Sequence, residues 1–267
     1  FCHDPNVGFG KCKDEILALY DDGRGRIWAG WFRTPTGVHV FDKKAESFTV
    51  YHHDPNDPTS ISSEGTVINI ASDRSGGIWV IPMDTVLSRH SQGSGRFRVY
   101  AHNPWNPRSL NSNVVVPCYT DRQGTLWVGT VAGLNRYDPQ TDSFSRFGED
   151  PKQPGSFVHP YVTRIYEDGA GTLWVASRGG SLCAFDRRLG KCSKTFVHDP
   201  SDPAGLPVLD SIRAIAEDKQ DANILWLGGF LTPGLLRFDK TTGHIKVYSN
   251  NPGDPRSLSS NSIWSIH

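Results

Sequence analysis

Apolar and aromatic residues occur along this chain in short runs, which are separated by clusters of glycine, proline, aspartate and asparagine. One representative stretch contains such runs at Asn113–Tyr119, Thr125–Gly129, Gly133–Asp138 and Ser143–Phe147. Runs of this length, rich in β-branched and aromatic residues and bounded by turn formers, are typical of β-strands. The first run of each stretch is apolar on both faces, as expected of a strand that lies between two neighbouring sheets. The pattern predicts groups of four strands joined by turns, and no helix longer than a turn.

The same stretch recurs around a tryptophan at intervals of 47 to 52 residues. The repeated residues are Trp28, Trp79, Trp127, Trp174 and Trp226. A period of about 48 residues is typical of a four-stranded propeller blade, and each tryptophan is expected in the core between blades.

We therefore predict an all-β fold, a β-propeller of four-stranded antiparallel blades. It has about five full blades plus a partial sixth, and forms a segment of a longer, for example seven-bladed, propeller. Within one domain over 1–267, the full blades are predicted at approximately 13–53, 65–102, 113–149, 160–198 and 210–250, and the partial blade at 261–267.

Composition excludes several classes of partner. The chain has 28 basic and 28 acidic residues, so no net field attracts nucleic acid or anionic lipid. No apolar run approaches the ~20 residues that a spanning helix needs, so no membrane span is predicted in this chain. The sequence opens with Phe1 rather than methionine. A mature or excised chain would begin in this way, which is compatible with secretion.

Cysteine usage leans toward an oxidising compartment. Cys183 and Cys192 fall on two strands joined by a tight turn, and a disulfide between them requires that this turn hold four residues. Cys2 and Cys12 flank a short glycine-rich loop and form a second candidate pair. Spacing alone does not establish whether either pair forms a disulfide. Cys118 occupies a position filled by leucine or isoleucine in the other copies, so we expect it to be a buried apolar residue.

A second phrase recurs between the blades, in which histidine is followed by aspartate or asparagine and then proline. The histidines at this position are His3, His53, His102 and His198, and two other copies carry Glu149 and Asn250. A single active site needs one such residue, whereas a repeated loop needs it in every copy. Hydrogen bonds that cap the loop are therefore favoured over catalysis, and the replacements do not support a symmetric metal ring.

Aspartates that precede the repeat tryptophans, at Asp73, Asp121 and Asp168, lie in Asp-x-x-Gly phrases. Their spacing lacks the alternating ligands of a calcium loop, so hairpin turns are the favoured interpretation. No metal and no cofactor are predicted.

The repeated phrases resemble the two-component regulator propeller repeat, whose pattern reads roughly D-x-x-G-x-L-W-x-G-T-x-x-G-L-x-R-Y-D. The third copy matches nearly throughout, from Asp121 to Asp138, and its loop matches from Pro104 to Leu110. The second copy departs from the pattern, with His90-Ser91 in place of Tyr-Asp. The resemblance implies an extracytoplasmic sensor propeller of a hybrid two-component system, often upstream of a membrane span and a histidine kinase. It implies a periplasmic or extracellular location, but no ligand and no binding residues.

Departures from the repeat mark candidate ligand-binding residues. In a propeller, the loops between the second and third strands and those between successive blades emerge on the same side. Aromatic residues and arginines on these loops suit sugar rings that carry hydroxyls or a carboxylate. The candidates are Trp31, Phe32, Arg33, Trp105, Arg178 and Phe230. The alternative, that Trp31 and Phe230 only pack their own longer loops, remains open.

Two predicted inner strands carry arginines, Arg164 and Arg213, where other copies are mostly apolar or small. Facing the channel, they would favour an acidic ligand such as a uronic-acid oligomer. The favoured alternative is that Glu167 and Glu217 neutralise them within the blades.

Three functional hypotheses follow from the sequence. The first is a non-enzymatic sensor propeller that recognises an oligosaccharide, with a homodimer partner, missing blades or a kinase module supplied by the full-length protein. The second is a propeller lyase that acts on a polysaccharide or an antibiotic, for which His159 and Tyr161 are the least repeat-like candidates. The third is an interaction scaffold that uses its blade faces. Because no catalytic motif is identifiable, the first hypothesis is favoured.

Overall fold

The computed structural model describes residues 15–32, 37–83, 85–91, 93–148, 150 and 152–266, with the backbone alone for Glu15 and Phe32. These residues form five four-stranded sheets. Every strand pairing whose register is resolved is antiparallel. The described ranges contain no helix. The prediction of an all-β propeller built from four-stranded blades is confirmed.

In each sheet, strands adjacent in sequence are also adjacent in space. The first sheet contains β1 (Glu15–Asp21), β2 (Arg26–Phe32), β3 (Val38–Asp42) and β4 (Ser47–Tyr51). The second contains β5 (Val67–Ser72), β6 (Ile78–Pro82), β7 (Leu87–His90) and β8 (Phe97–Tyr100). The third contains β9 (Val115–Thr120), β10 (Leu126–Thr130), β11 (Gly133–Asp138) and β12 (Ser143–Phe147).

The fourth sheet contains β13 (Val162–Glu167), β14 (Leu173–Ser177), β15 (Leu182–Asp186) and β16 (Lys191–Phe196). The fifth contains β17 (Ala214–Glu217), β18 (Ile224–Gly228), β19 (Leu235–Asp239) and β20 (Ile245–Tyr248). Residues 261–266, predicted as the beginning of a sixth blade, form no strand. Instead, the Ile263 N–H donates to the Gly229 carbonyl over 3.0 Å.

The chain divides into two compact units within the third sheet. The first unit comprises Phe1–Leu126 and Tyr137–Phe144, and the second comprises Trp127–Arg136 and Ser145–His267. Each unit has its own packing between sheets.

Within each unit, the repeat tryptophan of one blade packs on aromatic rings of the next. In the first unit, the ring centroids of Trp28 and His90 are 5.0 Å apart, and those of Trp79 and Tyr137 are 4.6 Å apart. In the second unit, Trp174 lies 5.8 Å from Phe238. Such edge-to-face contacts add to the large apolar area that each ring buries. These tryptophans are structural, as the repeat predicted.

A buried aspartate fixes the tryptophan of its own blade. In the second blade, the Asp73 carboxylate accepts hydrogen bonds from the Trp79 indole over 2.7 Å and from Arg89 Nε over 2.8 Å. In the fourth blade, Asp168 accepts from the Trp174 indole over 2.9 Å and from Lys240 Nζ over 2.8 Å. The Asp-x-x-Gly phrases are therefore hairpin turns, and their carboxylates also orient the core.

The recurring histidines hold the loops between blades. Nδ1 of His53, His102 and His198 lies 2.7, 2.7 and 2.9 Å from the carbonyl oxygen eight residues later. Asn250 replaces the imidazole with its side-chain amide, which donates to the Leu258 carbonyl. The loop-capping interpretation is confirmed at these four positions. His3 and Glu149 lie outside the described residues.

Cys183 and Cys192 form a disulfide with a Cα–Cα distance of 5.6 Å. The turn between β15 and β16 holds four residues, 187–190. The cysteines are not directly opposite each other, because pairing of Asp186 with Lys191 places Cys192 opposite Phe185, and Cys183 lies opposite Thr195. Cys118 is buried, as expected. Cys2 and Cys12 lie outside the described residues, so their pairing stays a prediction.

Candidate functional site

The loops of the second unit form a continuous surface, which we call the rim. It consists of Tyr161, Arg178, Asp210, Arg213, Phe230 and Trp264, together with Ser211, which is buried. The segment that enters β13 supplies Tyr161, and the β14–β15 connection supplies Arg178. The segment that enters β17 supplies residues 210–213, and the β18–β19 connection supplies Phe230. Trp264 follows the loop that leaves β20.

Hydrogen bonds join these segments one after another. The Arg178 N–H donates to the Tyr161 carbonyl over 2.8 Å, and its guanidinium carbon lies 5.9 Å from the centroid of the same tyrosine ring. The next N–H, of Gly179, donates to the Asp210 carbonyl over 2.8 Å. Adjacent to Asp210, Ser211 Oγ accepts a long hydrogen bond of 3.4 Å from Arg213 Nε. The segment entering β17 thus links the β14–β15 loop to the next blade.

The β18–β19 loop completes the rim because a glycine allows close backbone approach. A Cβ atom on Gly229 would lie 2.1 Å from the Ser211 carbonyl oxygen, so no larger residue fits there without a shift. Phe230 follows directly, and its ring centroid lies 5.9 Å from that of Trp264. Phe230 is 44% exposed and Trp264 is 69% exposed. The pair is an aromatic platform that the solvent can reach.

Positive charge predominates on the rim. Arg178 is exposed and Arg213 is partly exposed, and Asp210 is the one carboxylate among the seven rim residues. The acids expected to neutralise the inner-strand arginines have other cationic partners: Glu167 pairs with Arg187 over 2.6 Å, and Glu217 pairs with Lys240 over 2.8 Å. The reason is register, because these acids lie at the ends of β13 and β17 beside the following turns. The expected pairing of Glu217 with Arg213 is wrong.

The other candidate ligand residues belong to the first unit. Trp31 is 9% exposed, and its ring lies 5.5 Å from that of His39 in an edge-on contact. Its indole N–H has no hydrogen-bond acceptor among the described residues. Trp105 is 92% exposed on the connection between β8 and β9. The side chain of Phe32 and the whole of Arg33 lie outside the described residues.

The structure therefore joins Arg178 and Phe230, two of the sequence candidates, on one surface. Trp31 and Trp105 lie on different elements of the first unit, and their ligand roles stay predictions. Sequence analysis missed Trp264, because it was assigned to the inner strand of a partial blade. The sequence does mark Trp264 as a departure from the repeat, because the positions that correspond to it in the preceding two blades carry Thr163 and Arg213 rather than an aromatic residue.

His159 and Tyr161, the candidates for a lyase, are adjacent at the edge of the rim. The Tyr161 N–H donates to His159 Nδ1 over 3.1 Å. Since Nδ1 accepts this hydrogen bond, the neutral imidazole carries its proton on Nε2 and presents a donor to solvent. No carboxylate pairs with this ring within the part of the chain that the structure describes. The geometry does not prepare His159 as a general base.

The described residues contain no cluster of histidine, cysteine and acidic side chains that could hold a metal ion. Among them there is also no helix with the length and apolar character needed to cross a membrane.

Five four-stranded sheets organised around a tryptophan repeat define a β-propeller. Two segments, residues 109–132 and 156–179, match the family model described as two component regulator propeller. The resemblance is thus confirmed for these two repeats. No curated protein sequence matches the chain.

Similar solved structures share this fold. One is the extracellular domain of a one component system, BT4673, from B. thetaiotaomicron, with a TM-score of 0.69 and 19% identity over 98% of this chain and 31% of that one. A second is the extracellular domain of a hybrid two component system, BT3049, from the same organism, with a TM-score of 0.52 and 21% identity over 93% of this chain and 36% of that one. The chain thus spans about a third of the length of these two structures.

Virginiamycin B lyase from Staphylococcus aureus is also similar in fold. Its TM-score is 0.60 and its identity is 14%, over 89% of this chain and 71% of that one. At these identities the likeness shows the fold alone.

Proposed function

We propose that this chain is the ligand-sensing propeller of a two-component regulator and that it acts outside the cytoplasm without catalysing a reaction. The match of two repeats to the two component regulator propeller model supports this assignment. Two similar structures are extracellular domains of one- and two-component systems, which is consistent with it. The disulfide between Cys183 and Cys192 also fits an oxidising compartment.

We further propose that the rim of the second unit binds an oligosaccharide. The exposed pair of Phe230 and Trp264 is the observation that carries this proposal. Aromatic faces pack well against the C–H surfaces of sugar rings, and nearby polar groups then set the orientation. Arg178 and Arg213 supply such groups on the same surface.

The charge of the rim favours an acidic sugar. A guanidinium binds a carboxylate through two parallel hydrogen bonds, and Arg178 is exposed enough to reach a ligand. A uronic-acid oligomer combines apolar ring faces with carboxylates. It therefore matches the aromatic platform and the arginines better than a neutral oligosaccharide does.

A thermal-shift screen tests ligand binding. Neutral and uronic-acid oligosaccharides are added to the folded chain, and each hit is incubated and analysed for new products. A ligand that binds only the folded state must raise the melting temperature. We expect an acidic oligosaccharide to raise the melting temperature in a saturable way. The oligosaccharide itself should be recovered without cleavage. No rise with any member of a broad panel would contradict the proposal.

Substitutions locate the site. Phe230→Ala and Trp264→Ala should each weaken binding roughly 10-fold, which corresponds to about 1.4 kcal/mol. Leu189→Ala is the control, because Leu189 is also an exposed apolar residue of the second unit but lies on the β15–β16 turn. Trp105→Ala tests the first unit in the same assay. Weaker binding with Trp105→Ala alone would move the site away from the rim.

A second pair of variants tests the preference for acidic sugars. Arg178→Gln and Arg188→Gln remove the same charge from exposed positions of the fourth blade. Arg178 belongs to the rim, whereas Arg188 lies on the β15–β16 turn. We expect Arg178→Gln to weaken binding of a uronic-acid oligomer several-fold more than binding of its neutral analogue, and Arg188→Gln to change neither. Equal effects of both variants would indicate non-specific attraction.

The alternative function is a propeller lyase. It is favoured by one observation, the position of His159 and Tyr161 beside Arg178. The lyase would be established if products form in the thermal-shift screen and the His159→Ala variant no longer forms them. Binding without products would exclude the lyase for the ligands tested.

A further inference from the structure

The hairpin between the third and fourth strands of a blade has one position whose backbone is left-handed. In the second to fifth blades it is held by Gly95, Asp142, Gly190 and Gly243, with φ angles of 65, 50, 67 and 82°. This backbone conformation favours glycine, and aspartate is one of the few other residues that adopt it. The position faces the aromatic residue at the end of the preceding blade's fourth strand, so its side chain decides what fills the space between the two.

In the third blade, the Asp142 carboxylate fills this space. Its Oδ1 atom accepts hydrogen bonds from the hydroxyl of Tyr100, in the preceding blade, over 2.6 Å and from that of Tyr137 over 2.8 Å. Arg98 of the preceding blade forms an ion pair with Oδ2. The fold thus holds a carboxylate at this place with two hydroxyl donors and a guanidinium.

In the fourth and fifth blades, a phenyl ring lies at this place instead. A Cβ atom added to Gly190 would lie 2.9 Å from the ring of Phe147, and one added to Gly243 would lie 2.8 Å from the ring of Phe196. Neither ring has a hydrogen-bond donor. These two places therefore lack the tyrosine hydroxyl that holds the carboxylate of the third blade.

The second blade has neither a carboxylate nor a phenyl ring at this place. A Cβ atom added to Gly95 would meet no described atom within 4 Å. The facing residue is Tyr51, which has the same hydroxyl as its counterpart Tyr100. The Tyr51 ring is nearly parallel to that of Trp28, with an interplanar angle of 7°, whereas Tyr100 and Trp79 are tilted by 41°. The tyrosine ring thus lies along the tryptophan, and the space beside Gly95 stays open.

A cavity of about 510 Å³ occupies this space, and Tyr51, Gly95 and Arg96 contribute to its lining. Within the described part of the chain, the Tyr51 hydroxyl and the Arg96 guanidinium have neither a hydrogen-bond partner nor an ionic partner. Tyr51 therefore repeats a donor of the third blade, and Arg96 supplies a cation where the third blade uses Arg98.

The other ionisable residues of the cavity lining are already engaged. Asp57 Oδ1 accepts hydrogen bonds from the Thr59 N–H over 2.8 Å and from the Thr59 hydroxyl over 2.7 Å. These hydrogen bonds, and less strongly the charge of Arg96, hold the pKa of Asp57 below its usual value. His52 Nδ1 lies 3.3 Å from the Glu64 carboxylate. An anion that enters the cavity therefore depends on Arg96 and on the tyrosine hydroxyl for its binding.

We propose that this cavity binds the carboxylate of a small organic acid. The hydroxyl of Tyr51 donates to that carboxylate as Tyr100 does to Asp142, and Arg96 pairs with it. Hydrogen bonds between charged partners are about twice as strong as neutral ones. The cavity volume lies within the range of roughly 300–1,000 Å³ that is typical of small-molecule sites. The site belongs to the first unit and shares no residue with the rim, so it stands independently of the oligosaccharide proposal.

Nuclear magnetic resonance of the whole chain with acetate tests the site. Acetate carries the carboxylate alone, and it replaces chloride at constant ionic strength so that general screening is unchanged. The amide signals of Gly95 and Arg96 should shift in a saturable way. Tyr51→Phe, which removes only the hydroxyl, should weaken acetate binding about 10-fold.

Two glycine substitutions in the same hairpin separate this site from general charge effects. Gly95→Asp places a carboxylate where Asp142 lies in the third blade, so acetate should no longer bind. Gly93→Asp is the control, because Gly93 also has a left-handed backbone, with a φ of 77°, and open space at its Cβ position, but does not line the cavity. Acetate should bind to this variant nearly as tightly as to the wild type.

The same two variants can be compared without a ligand. Gly95→Asp should melt a few degrees higher than Gly93→Asp, because its carboxylate gains Tyr51 and Arg96 as partners. The proposal is overturned if the wild type shows no saturable shift at Gly95 and Arg96, or if acetate still binds to Gly95→Asp. It is equally overturned if Tyr51→Phe binds acetate as tightly as the wild type, or if Gly95→Asp melts no higher than Gly93→Asp. The amide spectrum of each variant confirms that it is folded.

Discussion

At the scale of single residues, His90 is the clearest departure from the repeat. It occupies a position that other blades fill with Phe41, Tyr137, Phe185 or Phe238. The imidazole is buried against Trp28 at 5.0 Å and Tyr51 at 5.2 Å. Neither ring nitrogen has a hydrogen-bond partner among the described residues. Burial, and to a smaller extent the charge of Arg26, lowers the pKa of His90 to about 4.

This pKa predicts acid sensitivity. Below pH 6.5 the unfolded chain protonates at this residue while the folded chain does not, so stability falls between about pH 6.5 and pH 4. The loss attributable to His90 should be about 2–3 kcal/mol. His90→Phe should remove this part of the pH dependence, whereas His244→Asn, at an exposed histidine, should not. Urea denaturation at pH 7 and pH 4 measures it. If the difference in unfolding free energy between pH 7 and pH 4 is the same in His90→Phe as in the wild type, the account is contradicted.

Asp73 is a second residue with a measurable role. Burial acts to raise the pKa of this carboxyl, but hydrogen bonds from Arg89, Ser75 and the Trp79 indole outweigh burial and hold the pKa below its ordinary value. Asp73→Asn should destabilise the chain by about 2–4 kcal/mol, because Arg89 loses its ionic partner. Asp199→Asn, at an exposed loop carboxylate, should lower the stability of the chain only slightly. Equal melting temperatures of both variants would show that the indole needs no charged acceptor.

Some of these residue roles could be predicted from the sequence and others could not. The loop histidines were predictable because repetition itself argues against catalysis. The bond between Asp73 and the Trp79 indole was not, because it depends on how the turn folds back onto the strand that follows it. Arg178 and Phe230 stood out as departures from the repeat, but their connection through Asp210 and Ser211 joins segments that the sequence does not relate.

At the scale of elements, strand content followed from short apolar runs and turn residues. The pairing register of the strands did not follow from these features of the sequence. The inner strands β1, β5 and β13 each have an irregularity near their beginning, for example between Val162 and Arg164. It shifts which side chains face each side of the sheet. No residue type marks these shifts, so the side of the sheet on which Arg164 lies could not be derived from alternation alone.

The β15–β16 hairpin carries the disulfide and gives a testable prediction. Replacing both Cys183 and Cys192 by serine removes a covalent link that closes a short loop, and should lower stability by about 1–3 kcal/mol. Dithiothreitol should lower the melting temperature of the wild type but not of the double variant. Cys118→Ser serves as the comparison, since it leaves the disulfide intact. A wild-type melting temperature unaffected by reductant would contradict a stabilising role for the bond.

At the scale of the whole molecule, the repeat determines the architecture and its exceptions determine the surface chemistry. The tryptophan period was sufficient to predict a propeller of four-stranded blades. Ligand chemistry was not predictable to the same degree, since Trp264 lies in a segment whose sequence resembles an inner strand but which forms none. The rim is a consequence of that segment packing on Gly228, where an added Cβ would lie 2.5 Å from Ile263.

Hydrogen–deuterium exchange of the chain with and without a bound uronic-acid oligomer tests the central claim most directly. Binding at the rim should protect the backbone amides of residues 178–181, 208–213, 229–231 and 261–266, with the oligomer recovered intact. Ligand contact and restricted opening both slow amide exchange, so protection maps the site. Protection confined to the loop around Trp105, or recovery of a cleaved oligomer, would contradict a sensor site on the rim.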